Sequence, residues 1–435
     1  MDASYLQELR LRAFKSFTGA VLPLDELTLL VGRNGSGKSN ALDGLWALSR
    51  LAHGDDVRDA LGGSADGLDV RGGVAGCAPL GTGSFWLGCT VQTGQVRTRL
   101  DVRVQIEPWP HIVAEKLQEH DDVLLETDPP QAGSGDIVAA WNNRKQGPNP
   151  KLSFMASRLL TAQVPTRVPA TTRPGQRVHL AAARVLAALR SVFLLDPVPP
   201  LMRRYVPSRD VVLRRDADNL SATVGALLDD PAARPVLVDA LRELSEQKVV
   251  DVATIRSDLD DVMLTVHERF AGQDHQVPAR MMSDGTLRFL AIVAALLQAP
   301  ALDAHASSAS FDQAVGQTTV VIEELENGLH ASQAKLLLRL VREQVKKRRV
   351  RLLATSHSSA LLDALSGDEH HSIVVCQRGT DGTSGLHRLT ELPNYVDVVT
   401  GGGLGRAAED DRLRLSHREQ RAPSDVLAAI LGGTG

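Results

Sequence analysis

Aromatic side chains make up only 3% of the 435 residues: eight Phe, four Trp and three Tyr. So few ring faces argue against a surface whose main work is stacking unpaired bases. Cysteine is nearly absent as well. Cys77, Cys89 and Cys376 are too few and too dispersed for a disulfide framework or a four-cysteine zinc site. Neither sign of charge dominates, with 48 Lys and Arg against 52 Asp and Glu and a formal charge of −4. No global basic field therefore points to nucleic acid. The longest clean apolar run, 289–297, is about half a membrane span. The start of the chain has no basic stretch leading into an apolar one, the pattern of a signal peptide. These absences predict a cytoplasmic protein with no membrane partner. What is present, 43% hydrophobic and 23% charged residues, is ordinary globular usage in a chain long enough for two or three domains.

Leu6, Leu9 and Leu11 sit in an extended run, and Leu27–Val31 is a short continuous apolar run, as expected of a strand buried on both faces. A glycine-rich loop follows, then Ala41, Leu42, Leu45, Leu48 and Leu51 at helical spacing. Residues 54–83, rich in Gly, Asp and Ala, read as loop, and 85–106 as a hairpin turning at Thr93-Gly94. Prolines from Pro108 to Pro174 predict loops broken by short helices. Helices are expected at 178–189, 220–228 and 236–244, and a strand at 262–270. An apolar helix at 287–297 is expected to end at Pro300, followed by a linker over 301–317. Buried strands at 318–322 and 351–355 flank a helix at 331–345, a hairpin closes over 371–391, and a weak helix falls at 426–431. No fixed-period repeat and no heptad pattern for a long coiled coil is visible.

Gly32-Arg33-Asn34-Gly35-Ser36-Gly37-Lys38-Ser39, followed by Asn40, fits G-x-x-x-x-G-K-[ST] with a buried strand before it and an amphipathic helix after it. Gly35 and Gly37 let backbone N–H groups converge on phosphate oxygens, and the helix N-terminus adds positive potential. Lys38 suits the β- and γ-phosphates of ATP, and the Ser39 hydroxyl suits Mg²⁺. A second acidic site is expected where Thr319-Val320-Val321-Ile322 ends in Glu323-Glu324. There Glu323 is placed to hold Mg²⁺ and Glu324 to activate water; two solvated glutamates at a strand end are the plainer alternative. Asp is the commoner first carboxylate, and Glu323 is one methylene longer, so a fast ATPase does not follow.

Roughly 280 residues separate the two motifs, far more than one strand-helix-strand unit requires. Between and after them come Met282-Ser283-Asp284-Gly285-Thr286, Leu325-Glu326-Asn327-Gly328-Leu329-His330 and Thr355-Ser356-His357-Ser358. This ordered set resembles an ABC-type ATPase head of the SMC, RecF and OLD branch, in its bacterial stand-alone AAA-type group with Ser-Asp-Gly-Thr in the signature. The opening Leu11-Arg12-Ala13-Phe14-Lys15-Ser16-Phe17 is similar to that branch's first strand and turn. The resemblance covers 5–52 and 278–365, with a weaker echo at Asp216-Ala217-Asp218-Asn219-Leu220.

The resemblance implies an α/β P-loop NTPase, with an antiparallel β side sheet and a mostly helical insertion. The expected division is an N-terminal lobe (1–107), a helical insertion or lid (108–275), a C-terminal lobe (276–400) and a tail (401–435). It implies a homodimer, or a higher oligomer, closing head to tail on ATP. Ser283, Asp284 and Gly285 would meet the γ-phosphate bound to the opposite subunit, His357 would act as the switch histidine, and Asn327, Gly328 and His330 would line the seam. One element of the branch is missing: no Gln occurs between Ser39 and Val91 to sense Mg²⁺. OLD-type relatives add a nuclease, yet the 78 residues after His357 hold no Asp-x-Asp pair in a strand context. The implied function is a switch controlling a separately encoded effector, as in antiphage defence. A RecF-like DNA-binding ATPase in repair and a weakly hydrolysing scaffold remain as alternatives. Nucleic acid stays a possible partner through Arg203, Arg204, Arg209, Arg214 and Arg215, although a solvated face is the favoured reading of them. The run Lys346-Lys347-Arg348-Arg349-Val350-Arg351 reads as a helix end, and His370 and His371 lack further ligands for a metal.

Overall fold

The computed structural model describes residues 2–62, 70–129, 135–307 and 314–413. The first elements are β1 (Ser4–Ala13), β2 (Ala20–Pro23), β3 (Leu27–Val31), α1 (Lys38–Ala52) and α2 (Val57–Gly62). Next come β4 (Ser84–Thr93), β5 (Val96–Gln105), β6 (His111–Glu119), β7 (Asp122–Thr127), β8 (Asp136–Trp141) and β9 (Lys151–Met155). All of these strands except β3 form one antiparallel sheet in the order β2-β1-β4-β5-β6-β7-β8-β9. The chain continues through α3 (Leu160–Arg167) and α4 (Arg173–Arg190). α4 lies across β1, β4, β5 and β6. The Thr172 hydroxyl caps α4 by accepting from the Gly175 N–H, and its buried face runs Val178, Ala181, Ala182, Val185, Leu186 and Leu189 at helical spacing.

Then follow β10 (Val192–Leu195), α5 (Pro199–Met202), β11 (Val206–Pro207), α6 (Leu220–Asp229), α7 (Arg234–Leu244), β12 (Lys248–Arg256), β13 (Asp261–Phe270) and β14 (Gln273–Pro278). β11 to β14 make a small antiparallel sheet backed by α6 and α7. The last stretch holds α8 (Asp284–Ser307), β15 (Thr319–Ile322), α9 (Ala331–Arg348), β16 (Arg351–Ser356), α10 (Ser359–Leu362), β17 (Ile373–Arg378), β18 (Ser384–Arg388), α11 (Tyr395–Thr400) and α12 (Leu404–Glu409).

The central sheet has the order β10-β15-β16-β3-β17-β18, parallel throughout except for β18. It is buried on both faces, so successive residues feed different cores. Leu29, Val31, Val320, Ile322, Leu352 and Ala354 join the core under α6, α8 and α9. Leu30, Val321, Leu353 and Val374 join the core shared with α1, α4 and the antiparallel sheet.

The α/β architecture with an antiparallel side sheet is as expected, but the content of 108–275 is not. That stretch is not mostly helical: β6 to β9 extend the side sheet, β10 is an edge of the central sheet, and β11 to β14 form a third sheet. Of the prolines that suggested broken loops, Pro165 lies inside α3 and Pro174 in the first turn of α4, but five stand at strand ends, Pro108 and Pro110 before β6, Pro129 after β7, Pro148 and Pro150 before β9. There they cost no ladder hydrogen bond. Two further expectations change. Residues 57–62 are helical instead of loop, and α8 runs past Pro300 to Ser307 instead of ending there. Near Pro300 the Leu297 and Ala299 carbonyls accept from Arg348 Nη1 at 2.8 Å and Thr318 Oγ1 at 2.9 Å, which props the turn. The expected helix at 426–431 lies outside the described residues.

Glu115 ties the extended side sheet to α3. Its carboxylate is 1% exposed and accepts from the Leu160 N–H at 2.7 Å, the Thr161 N–H at 2.6 Å and Thr161 Oγ1 at 2.5 Å. Glu115→Ala would leave those donors unmet and is expected to cost about 2–4 kcal/mol in denaturant unfolding. Burial pushes this carboxyl from 4.5 up to about 7. The fold thus favours its protonated form, and the associated stability is full below pH 4.5 and lost as pH rises through 7. Wild type should lose stability over that window, and Glu115→Ala should flatten the loss.

Candidate functional site

The carboxyl ends of β15, β16, β3 and β17 lie side by side, and the chemistry-bearing loops leave from them. Gly32 leaves β3 at φ 149°, with Gly35 at 76° and Gly37 at 114°. A Cβ on Gly32 would stand 2.2 Å from the Cys376 carbonyl oxygen, and one on Gly37 2.5 Å from Ser384 Oγ, so the loop requires glycine at both places. The hairpin β17–β18 shapes the loop from beneath: Ser384 Oγ and Cys376 Sγ both donate to the Ser36 carbonyl, at 2.7 and 3.3 Å. α1 starts at Lys38 with no side-chain cap and no acid in its first turn. Its free N–H groups and dipole remain available to an anion.

Lys38 is 5% exposed and donates to the carbonyls of Gly32 at 2.8 Å and Arg33 at 3.0 Å. Burial pulls its pKa below the ordinary lysine value. Ser39 Oγ donates directly to Glu323 Oε1. These two hard oxygens, carried by α1 and the end of β15, converge as a small divalent cation requires, and the pair fits Mg²⁺. Asn40 Nδ2 donates to Ser16 Oγ at 2.8 Å, bracing the loop against the β1–β2 turn. Asn34 and Gly35 are exposed at the loop tip, Ser36 Oγ is buried without a partner, and Arg33 reaches Asp411 at 3.3 Å.

Glu324 occupies the left-handed region at φ 53°, a conformation a non-glycine residue holds at a cost of about 1–2 kcal/mol. Its N–H is taken by Thr355 Oγ1 at 2.8 Å, and its carboxylate accepts from Asn327 Nδ2 at 3.3 Å. His357 follows β16, with its N–H on Glu326 Oε1 at 2.5 Å. Burial, then the Lys38 charge, hold its imidazole below the ordinary value, which keeps the ring neutral at pH 7. One cavity of 270 Å³ is lined by Asn34, Lys38, Ser39, Glu323, Glu324 and His357 together. A larger cleft of 1270 Å³ adjoins it, between Gly32–Ser36 and the C-terminal residues from Pro393 to Leu413.

The signature residues lie elsewhere. Ser283, Asp284 and Gly285 line neither cavity. Ser283 and Asp284 are exposed at the start of α8, where Ser283 Oγ accepts from the Thr286 N–H at 3.1 Å. Arg203 holds this loop, donating to the Met282 carbonyl at 2.9 Å and to Asp284 at 2.5 Å. Gly285 packs on Gly328, whose carbonyl oxygen would stand 2.2 Å from a Cβ there, so the signature and the Asn327–His330 turn form one surface.

Sequence patterns missed Arg71. Its Nε donates to both Asp43 oxygens at 3.0 and 3.1 Å, Nη1 to both Glu323 oxygens at 3.2 and 3.1 Å, and Nη2 to the Ser39 carbonyl at 3.0 Å. Lys15 Nζ joins Asp43 and the Arg71 carbonyl, each at 2.7 Å. Arg71 lies in the stretch read as featureless loop. The one sequence signal was Asp43, a helical turn beyond Ser39 on α1. No glutamine is among the residues lining the smaller cavity. Three of the five arginines of the cluster are engaged with acidic partners, while Arg204 and Arg209 are exposed. Arg203 is engaged at the signature, Arg214 pairs with Asp210 and Asp218, and Arg215 lies 3.8 Å from Asp196. His370 packs its ring on Tyr395, with Nδ1 3.0 Å from the hydroxyl, and no group of three or more His, Cys, Asp or Glu among the described residues is set to hold a metal. Among them, too, no helix is long and apolar enough to cross a membrane.

This geometry predicts that Lys38→Ala weakens binding of a nucleoside triphosphate by about 100-fold or more in calorimetry, since a charge-assisted contact is lost. Unchanged affinity would show that the loop is not the phosphate site.

No curated protein matches the sequence. By structure the chain is similar to an SMC head bound to the C-winged helix domain of ScpA, with TM-score 0.46 and 13% identity over 88% of this chain and 97% of that one. It is also similar to the SMC head domain from Thermotoga maritima (TM-score 0.40, 12% identity, 88% and 98% coverage) and to the recombination mediator RecF with ATP (TM-score 0.36, 11% identity, 82% and 94% coverage). Residues 27–363 match a family described as "AAA domain, putative AbiEii toxin, Type IV TA system". That match spans most of the chain and takes in the glycine loop, the signature, the two glutamates and His357, so the chain belongs to this AAA-domain family.

Proposed function

We propose that this protein is an ATP-hydrolysing switch of the ABC type. Two copies close head to tail on ATP and reopen after hydrolysis, and the movement controls a separately encoded effector. The carrying observation is that the glycine loop, both glutamates and His357 share one cavity while the signature stands outside it. A second copy can therefore supply what the first lacks.

The glycine loop and the N-terminus of α1 bind the phosphates, and Lys38 exchanges its two carbonyl partners for phosphate oxygens. Ser39 and Glu323 would hold Mg²⁺, which would supply charge neutralisation to the phosphates. Glu324, aimed by its left-handed backbone and Thr355, takes the proton of the attacking water. Neutral His357 hydrogen-bonds the γ-phosphate and registers its loss. Ser283 and the α8 N-terminus of the partner meet the same phosphate. Closure follows from contacts made only with the γ-phosphate present. The family description names a toxin of a type IV toxin–antitoxin system, which supports a defensive setting. The ion pairs of Arg203, Arg214 and Arg215 favour effector control over DNA binding.

Glu324→Gln should lower ATP turnover at least about 100-fold while trapping an ATP-dependent dimer, read by particle mass. Duplex DNA should leave wild-type turnover unchanged. Stimulation by DNA would favour a repair ATPase, and turnover indifferent to Glu324→Gln would favour a scaffold.

A further inference from the structure

We infer that Arg71 is a placeholder for the divalent cation, its guanidinium neutralising Glu323 until the metal arrives and leaving when it does. The inference rests on the reading of Ser39 and Glu323 as the metal-holding pair.

Two observations outside that reading carry it. Glu323 is already engaged by its own chain: both oxygens accept from Arg71 Nη1, and Oε1 also accepts from Ser39 Oγ. A guanidinium in that place repels a second cation, so metal and arginine compete for the same carboxylate. The other observation is that Arg71 has a second anchor. Its Nε rests on Asp43, which is 7% exposed and fixed from the other side by Lys15. Arg71 itself is half-exposed, and Gly72 and Gly73 follow it at φ 83° and 59°. To leave Glu323 the guanidinium turns as one rigid plane, keeping Nε on Asp43 and giving up the Nη2 bond to the Ser39 carbonyl as well.

An ordinary structural ion pair would keep its contacts with the metal bound, and its removal would loosen Glu323 and weaken the metal. Competition predicts the opposite sign. Binding of a fluorescent ATP analogue to the 435-residue chain, titrated with MgCl₂, reads the difference. For Arg71→Ala the Mg²⁺ concentration at half-effect should fall by about tenfold, since a charge-assisted pair no longer has to break. Arg71→Lys, which keeps the charge but not the fork, should lie between that variant and wild type. Bound Mn²⁺, measured by electron paramagnetic resonance without nucleotide, should likewise rise in Arg71→Ala and fall back when Glu323→Gln is added. An unchanged or higher Mg²⁺ midpoint in Arg71→Ala, with the analogue still bound, overturns the placeholder alone. Wild-type binding that ignores Mg²⁺ overturns the metal assignment and the placeholder with it. Lys38→Ala, whose affinity for the analogue should fall by about 100-fold with or without Mg²⁺, separates both from failure of the phosphate site.

Discussion

A strand buried on both faces is built mainly of apolar residues and leaves its charged ones to the loops beyond its ends, and that constraint sets where chemistry occurs in this molecule. β3, β15 and β16 alternate their side chains between two cores, and only Thr355, near the end of β16, reaches the smaller cavity from within them. Being parallel neighbours, they release their polar residues at one edge: the glycine loop after β3, Glu323 and Glu324 after β15, His357 after β16. β17 adds the hairpin that holds the glycine loop in shape. The site is therefore a consequence of sheet burial. A core substitution such as Leu353→Ala, costing about 2–5 kcal/mol, would disturb three functional loops at once.

Within that frame each cation of the site is satisfied by oxygens of its own chain. Lys38 rests on two carbonyls, and Arg71 rests on Asp43, Glu323 and the Ser39 carbonyl. Nucleotide and metal have to replace these bonds, and only the difference between old and new contacts is free to drive a change of shape. Glu324 stands apart because its backbone is held in a strained region, its N–H by Thr355 Oγ1 and its carbonyl by the Asn327 N–H. Strain kept in place by a specific partner is the pattern of a positioned group.

The parts of this arrangement legible in the sequence are those with a local signature. The apolar run Leu27–Val31, the glycine spacing and the short strand before Glu323 each report themselves within ten residues. The side sheet beyond β5 did not, because its prolines punctuate hairpins at intervals that resemble broken loop, and buried polar residues such as Glu115 and Glu119 interrupt the alternation of β6. Arg71 was invisible for a different reason. Its meaning comes from Asp43 and Glu323, 28 and 252 residues away in the chain. The arginines between Arg203 and Arg215 showed the converse: clustered in sequence, three of them are committed to separate acidic partners in space.

The central claim is that the cavity is completed by the signature of a second copy, and a thiol crosslink tests it most directly. The three native cysteines are buried, with Cys77 and Cys89 pushed up to about 12 and Cys376 to about 11 by burial, so they leave a clean background. Asn34 at the loop tip and Ser283 at the signature are both exposed. A chain carrying Asn34→Cys and Ser283→Cys on Glu324→Gln should form a covalent dimer with a short bifunctional thiol reagent when ATP and Mg²⁺ are present, and stay monomeric without them. No crosslinked dimer with ATP, or the same amount without it, would contradict the head-to-tail account.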